Sequence, residues 1–271
     1  MKLTVRSFAG ILLLLMFVHS AQVSAHDTWV QTNTNIVRTG DAVHIDLMLG
    51  NHGNRHRDYK LASKIANDGV VLKVRGPDGK SYDIADRLID TGYTPKEGFW
   101  TAKFSTTAPG LYVVEHSLDK VVNHGRPVRS IRSGKACFVV SKSLDKVPEK
   151  IPGFDAILGH PLEIIPVKNP VNPAGPGQEM HVRVLLRGKP LAHANVSFIP
   201  RSETLKPEHD PRYEQLTDAQ GEARFVPKSG DYYLIVVHHR DDKAAGPGYE
   251  ATHYSATLNV FVPELCSCCG E

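Results

Sequence analysis

The residues that offer the most chemistry per position sit in one short stretch, Val23-Ser24-Ala25-His26-Asp27-Thr28-Trp29. Ahead of it, Lys2 and Arg6 give a positive start and Ile11 to Val18 an apolar run, and Val23-x-Ala25 matches a signal-peptidase site. Cleavage after Ala25 makes His26 the first residue of the exported chain. Its α-amine, with a pKa of about 8, and its imidazole Nδ1 then close a small chelate ring on one metal ion. No other residue type supplies that pair of nitrogens from one position. A lone terminal histidine can equally be inert, so the reading depends on further donors.

Several imidazoles are placed to supply them, neutral imidazole being a good ligand for first-row divalent metals. His238 and His239 end the apolar run Leu234-Ile-Val-Val237. Successive strand residues face opposite sides, so only one of the two can face a given site. His116 alternates with Tyr112 and Val114, and the competing role for it is a satisfied core or rim imidazole. His52 and His56 stand four apart, but Gly53 and Asn54 between them favour a loop over a helix. That loop is either a ligand-bearing sandwich end or a solvated basic turn. His44 and Asp46 share one strand face, as a pair orienting a ligand or as a plain exposed face. Cys266, Cys268 and Cys269 form a possible second site for a soft metal, or a disulfide-linked terminus, with Cys137 as a conceivable partner.

These residues need a scaffold, and the periodicity supplies strands. Ala42 to Leu49 alternates, with Val43, Ile45, Leu47 and Leu49 on one side. Val70 to Val74 and Ser81 to Ile84 flank a Gly76-Pro-Asp-Gly79 turn. Phe99 to Phe104, Leu111 to Ser117 and Ala136 to Val140 complete a first set. Pro161 to Val167, His181 to Leu186, Ala194 to Ile199, Glu222 to Val226, Asp231 to His239 and Tyr254 to Val262 form a second. Asp58 to Ala66 is the one helix-compatible stretch. The expected fold is all-β, two tandem immunoglobulin-like β-sandwiches. The expected divisions are a signal at 1–25, a sandwich at 26–142, a linker at 143–160, a sandwich at 161–264 and a cysteine-rich tail at 265–271.

Charge and length narrow the function. The 271 residues carry a formal charge of +3, and losing Lys2 and Arg6 brings it to about +1. Acids and bases are interspersed, which gives no electrostatic case for nucleic acid or an anionic membrane. The apolar run of the leader is about half the ~20 residues a bilayer span needs, so the exported chain is not expected to span a membrane. There is no Gly-x-Ser-x-Gly elbow, His-Glu-x-x-His helix, phosphate loop or dinucleotide fingerprint.

Longer blocks carry a resemblance. His26-Asp27-x-Trp29, Pro161-Leu-Glu-Ile-Ile-Pro, Gly188-Lys-Pro-Leu-Ala-His-Ala-Asn-Val, Thr217-Asp-Ala-Gln-Gly-Glu-Ala-Arg-Phe and Tyr254-Ser-Ala-Thr-Leu together resemble a periplasmic domain-of-unknown-function family labelled NikM-like, after nickel uptake. The Gly-x-Pro-Leu and Thr-Asp-x-x-Gly blocks are also similar to transthyretin-like and carboxypeptidase-regulatory-like sandwiches. The resemblance implies an exported, two-domain protein associated with divalent transition metals: nickel, cobalt, copper or zinc. It also implies a membrane metal transporter as a possible partner. The expectation is therefore a periplasmic or secreted binding protein, not an enzyme, with His26, His116, His238, His239, His52 and His56 as candidate ligands. The alternatives are a structural or adhesive sandwich pair, and a copper-dependent oxidative enzyme built on the terminal histidine.

Overall fold

A computed structural model describes residues 26–52, 68–92, 94–123, 125–148, 150–206 and 209–264. The helix-compatible Asp58 to Ala66 stretch lies outside them. The chain forms β1 (Asp27–Thr32), β2 (Ile36–Arg38), β3 (Ala42–Gly50), β4 (Val71–Arg75), β5 (Ser81–Asp83) and β6 (Ile89–Asp90). These are followed by β7 (Trp100–Ser105), β8 (Gly110–Asn123), β9 (Pro127–Ser141), β10 (Leu162–Pro166), β11 (Met180–Leu186) and β12 (Lys189–Pro190). The last are β13 (Asn195–Pro200), β14 (Glu214–Leu216), β15 (Glu222–Phe225), β16 (Asp231–Asp241) and β17 (Ala251–Val262).

The architecture is all-β and sandwich-like, as the alternation predicted. One four-stranded sheet runs β1-β3-β7-β6, and a second joins β10, β11, β12 and β15. Both pack on a nine-stranded sheet of order β14-β13-β16-β17-β9-β8-β4-β5, to which β2 adds alongside β9. Val43, Ile45 and Leu47 of β3 face Leu72, Tyr112, Val114 and Phe138 in the first core. Leu162, Ile164 and Val184 face Phe198, Ile235, Val237 and Leu258 in the second.

The two halves share the large sheet. Its joint is a parallel pairing of β17 with β9, from Ala251 opposite Val128 to Asn259 opposite Ala136. β9 and its neighbour β8 are both longer than the apolar pattern suggested. The stretch from Ser117 to Ser130 is polar, and cross-strand pairs such as Arg129–Asp119, at 2.6 Å, hold it. Residues expected to form a linker are packed too. Ile151 is buried with Leu111, Val113, Cys137 and Val139 against the side of β8–β9 that the first sheet leaves bare.

β1 is a strand that the periodicity did not signal. All six of its residues are buried. Val30 enters the first core, whereas Trp29 packs with Met48 on Leu234 and Val236 of β16. Two covered faces leave no polar face, so Asp, Thr and Gln are buried along with the apolar residues and the period-2 signal disappears. β1 pairs only with β3. Its outward carbonyls accept from side chains of the large sheet: His26 from Arg132, Thr28 from Thr257 at 3.0 Å, and Thr32 from Tyr232 at 3.5 Å. Gly134 permits the approach. A Cβ there would stand 2.9 Å from Thr257 Oγ1 and 3.6 Å from the Trp29 Cα.

Candidate site at the seam between the halves

The seam gathers polar groups from both halves where β1 begins. Asp27 Oδ1 accepts from His238 Nε2 at 2.8 Å and from Ser255 Oγ at 2.6 Å. The placement follows from register: His238 lies opposite Ser255, which lies opposite Arg132, so all three share one face beneath β1. Arg132 also donates from Nε to Ser130 Oγ at 3.1 Å.

Burial alone would raise the Asp27 carboxyl, but the adjacent His238, its hydrogen bond, the Ser255 hydroxyl and Arg132 together hold it below the usual range. In turn the Asp27 charge raises His238, outweighing partial desolvation. The His238 side chain is 56% exposed, so solvent screens this pair in part. With Nε2 donating to the carboxylate, Nδ1 is the nitrogen outside that bond. Serine donates to the carboxylate rather than to the imidazole, so the three groups are not arranged as a nucleophile relay.

One position further along β1 the chemistry is different. His116 is fully buried, with Nδ1 donating to Val71 O at 3.2 Å. Its Nε2 accepts from Thr28 Oγ1 at 3.0 Å, the tautomer that a carbonyl partner requires. Desolvation pushes this imidazole down to about 4. Both nitrogens are committed, so the expectation of His116 as a ligand is corrected: it is a core imidazole.

The remaining candidates disperse. His52 donates from Nε2 to Tyr232 O at 2.9 Å and meets the Trp29 ring edge-on at 5.6 Å. Tyr232 is six residues from His238, about 20 Å along β16, so His52 and His238 do not meet. His239 faces the other side of the sheet, 6.0 Å from the Tyr254 ring, and cannot share a site with His238. His56, Cys266, Cys268 and Cys269 lie outside the described residues. Cys137 is buried, its thiol raised to about 12 by desolvation. Asp46 is buried beneath the seam rather than exposed, and burial raises its carboxyl. Among the described residues, no three or more His, Cys, Asp or Glu side chains are grouped to hold a metal ion.

Asp27, Arg132 and Ser255 were not singled out from sequence, nor was His253. His253 stands two residues before Ser255 on the same face, and its Nε2 is buried with no hydrogen-bond partner among the described residues. The alternation His253, Ser255, Thr257 along the last strand was the available signal.

Fold and seam together define a class: an all-β protein whose two sandwiches share one sheet and are sewn together by a buried first strand. The chain belongs to the family described as Domain of unknown function (DUF4198), which matches residues 23–241 and so reaches across both halves. No enzymatic family is indicated. Among curated proteins no match is found. Solved structures that overlap include a DUF4785 family protein from Legionella pneumophila, at 15% identity and a TM-score of 0.28, over 77% of this chain and 50% of that one. The chain thus spans half the length of that protein. The D0-D1 domain of intimin overlaps at 10% identity and a TM-score of 0.21, over 86% of this chain and 97% of that one. A Salmonella alpha-2-macroglobulin overlaps at 14% identity and a TM-score of 0.25, over 88% of this chain and 15% of that one. Overlaps this loose carry no argument about activity or partner.

Proposed function

We propose that this is an exported transition-metal-binding protein whose site forms at the start of β1, once residues 1–25 are removed. The donors are the α-amine and imidazole of His26 and the Nδ1 of His238. The observation carrying this reading is the 2.8 Å bond from His238 Nε2 to Asp27. A carboxylate on the far nitrogen of an imidazole fixes the ring and raises the basicity of the near one, the usual setting of a metal-bound histidine. Here that ring is bonded to Asp27, the second residue after the Val23-x-Ala25 motif. A donor set of nitrogens suits nickel, cobalt, copper or zinc over magnesium or calcium. Nickel, a periplasmic location and a membrane transporter as recipient are the finer form of the proposal, supported by the NikM-like resemblance.

The mechanism is capture rather than catalysis. The charged imidazole must lose its Nδ1 proton before that nitrogen can bind, and Asp27, which stabilises the charged ring through Nε2, makes uptake pH-dependent. Binding is expected to weaken as pH falls, beginning above the ordinary imidazole value because His238 is raised. The test is calorimetric titration of the cleaved protein with nickel(II) and copper(II), beside a form carrying one extra residue before His26. The extension is expected to weaken binding at least about a hundredfold by removing the chelate; equal affinity in both forms sinks the proposal. One observation favours a second reading, a structural or adhesive module in which Asp27–His238 is only a latch. The described residues hold no ready cluster of three side-chain ligands. Absence of binding by the cleaved form would favour that reading.

A further inference from the structure

A second set of buried charges lies on the opposite side of the sheet, unused by the seam. Lys135 of β9 pairs with Glu163 of β10 at 2.5 Å, with side chains 4% and 2% exposed. Glu163 also accepts the backbone N–H of Leu158 at 2.6 Å and of Gly159 at 3.0 Å. Lys135 reaches the Ala156 carbonyl at 3.5 Å. Glu115, opposite Lys135 on β8, accepts Arg75 of β4 through Nε at 3.0 Å and Nη2 at 3.3 Å. These contacts hold the segment between the two halves down on β8–β9, where its Ile151 packs on the apolar patch formed by Leu111, Val113, Cys137 and Val139.

His160 is wedged into this cluster. Its Nε2 stands 3.7 Å from Glu115 Oε2, too far for a hydrogen bond, and is buried with no partner among the described residues. The charges facing it balance: Arg75 and Lys135 against Glu115 and Glu163, with neutral His116 across β8 and neutral Cys137 next to Lys135 on β9. A proton on His160, whose side chain is only 12% exposed, adds an unbalanced charge to a largely buried pocket. That is costly unless the pocket opens.

We infer that residues 150–160 form an acid-opened flap over β8–β9, with His160 as its trigger and Glu163 of β10 as its anchor. In the neutral state the imidazole fits beside Glu115 and the flap stays down. Burial lowers its proton affinity while the flap is closed, and the open state restores it, so mild acid draws the equilibrium toward opening. Opening breaks the Leu158 and Gly159 bonds to Glu163 and uncovers Cys137. The inference stands apart from the metal site on the other face.

Cys137 gives the readout. In a chain carrying C266S, C268S and C269S it is the sole thiol, and 4,4′-dithiodipyridine reports its exposure in mild acid as well as at neutrality. Relative to glutathione under the same conditions, its labelling rate is expected to rise about tenfold from about pH 7 to about pH 5. His160→Gln, which keeps a donor beside Glu115 but cannot titrate there, is expected to flatten that rise. No rise in the unsubstituted flap, or the same rise in H160Q, overturns the inference. Amide exchange in the natural chain needs no substitution: Leu158 and Gly159 should lose protection at about pH 5 after correction for intrinsic rate. Retained protection overturns the inference, as does loss of the whole β-sheet circular dichroism signal at that pH.

Discussion

The two ends of the seam differ by one residue of β1. At its open end Asp27 meets His238, half in solvent, and the carboxylate raises the imidazole. At its closed interior Thr28 meets His116, with no solvent and no counter-charge, and desolvation lowers the imidazole to about 4. Residue type is constant and strand position nearly so; water and a carboxylate decide whether the ring is a charged partner or a neutral core group.

The contrast sharpens most if the interior is broken. His116→Ala should cost about 3 kcal/mol of unfolding free energy in urea, from a cavity plus the stranded Thr28 hydroxyl and Val71 carbonyl. The natural protein should show the matching pH effect. His116 takes up a proton near 6.5 when unfolded but only near 4 when folded, so stability falls as pH drops between those values, by about 3 kcal/mol. A urea midpoint flat across that window would contradict it.

Smaller effects are expected at the open end. Asp27→Asn should cost about 1 kcal/mol and return His238 toward its ordinary titration, read by NMR of the ring protons. Here the sign differs: the pair contributes in full between the unfolded-state values of about 3.9 for Asp and about 6.5 for His, and folding moves these to a lowered Asp27 value and a raised His238 value. It is lost as pH falls through that lowered value or rises through that raised one. Ser255→Ala should cost less than about 1 kcal/mol and lift the Asp27 carboxyl slightly, since one of its hydrogen bonds goes.

Legibility followed solvent contact. β3 and β16 were readable because each carries a strong apolar row, and the Gly76-Pro-Asp-Gly79 turn because its residues have fixed local preferences. β1 was not, since both of its faces are covered. The polar length of β8 and β9 was not either, because ion pairs across a hairpin leave no hydrophobic period. Within the site, His26 and His238 were singled out by residue type and position, whereas Asp27, Arg132 and Ser255 gain their roles only from one another.

The sequence by itself determined an all-β chain and its principal strands, because alternation and turn chemistry act over a few residues. The tertiary structure alone decided that β17 runs parallel to β9, and that Asp27 meets a histidine 211 positions away. It also decided that His116 is sealed and His238 is not. Strand pairing and burial arise from contacts between segments that share no local pattern, so no periodicity within either segment can record them.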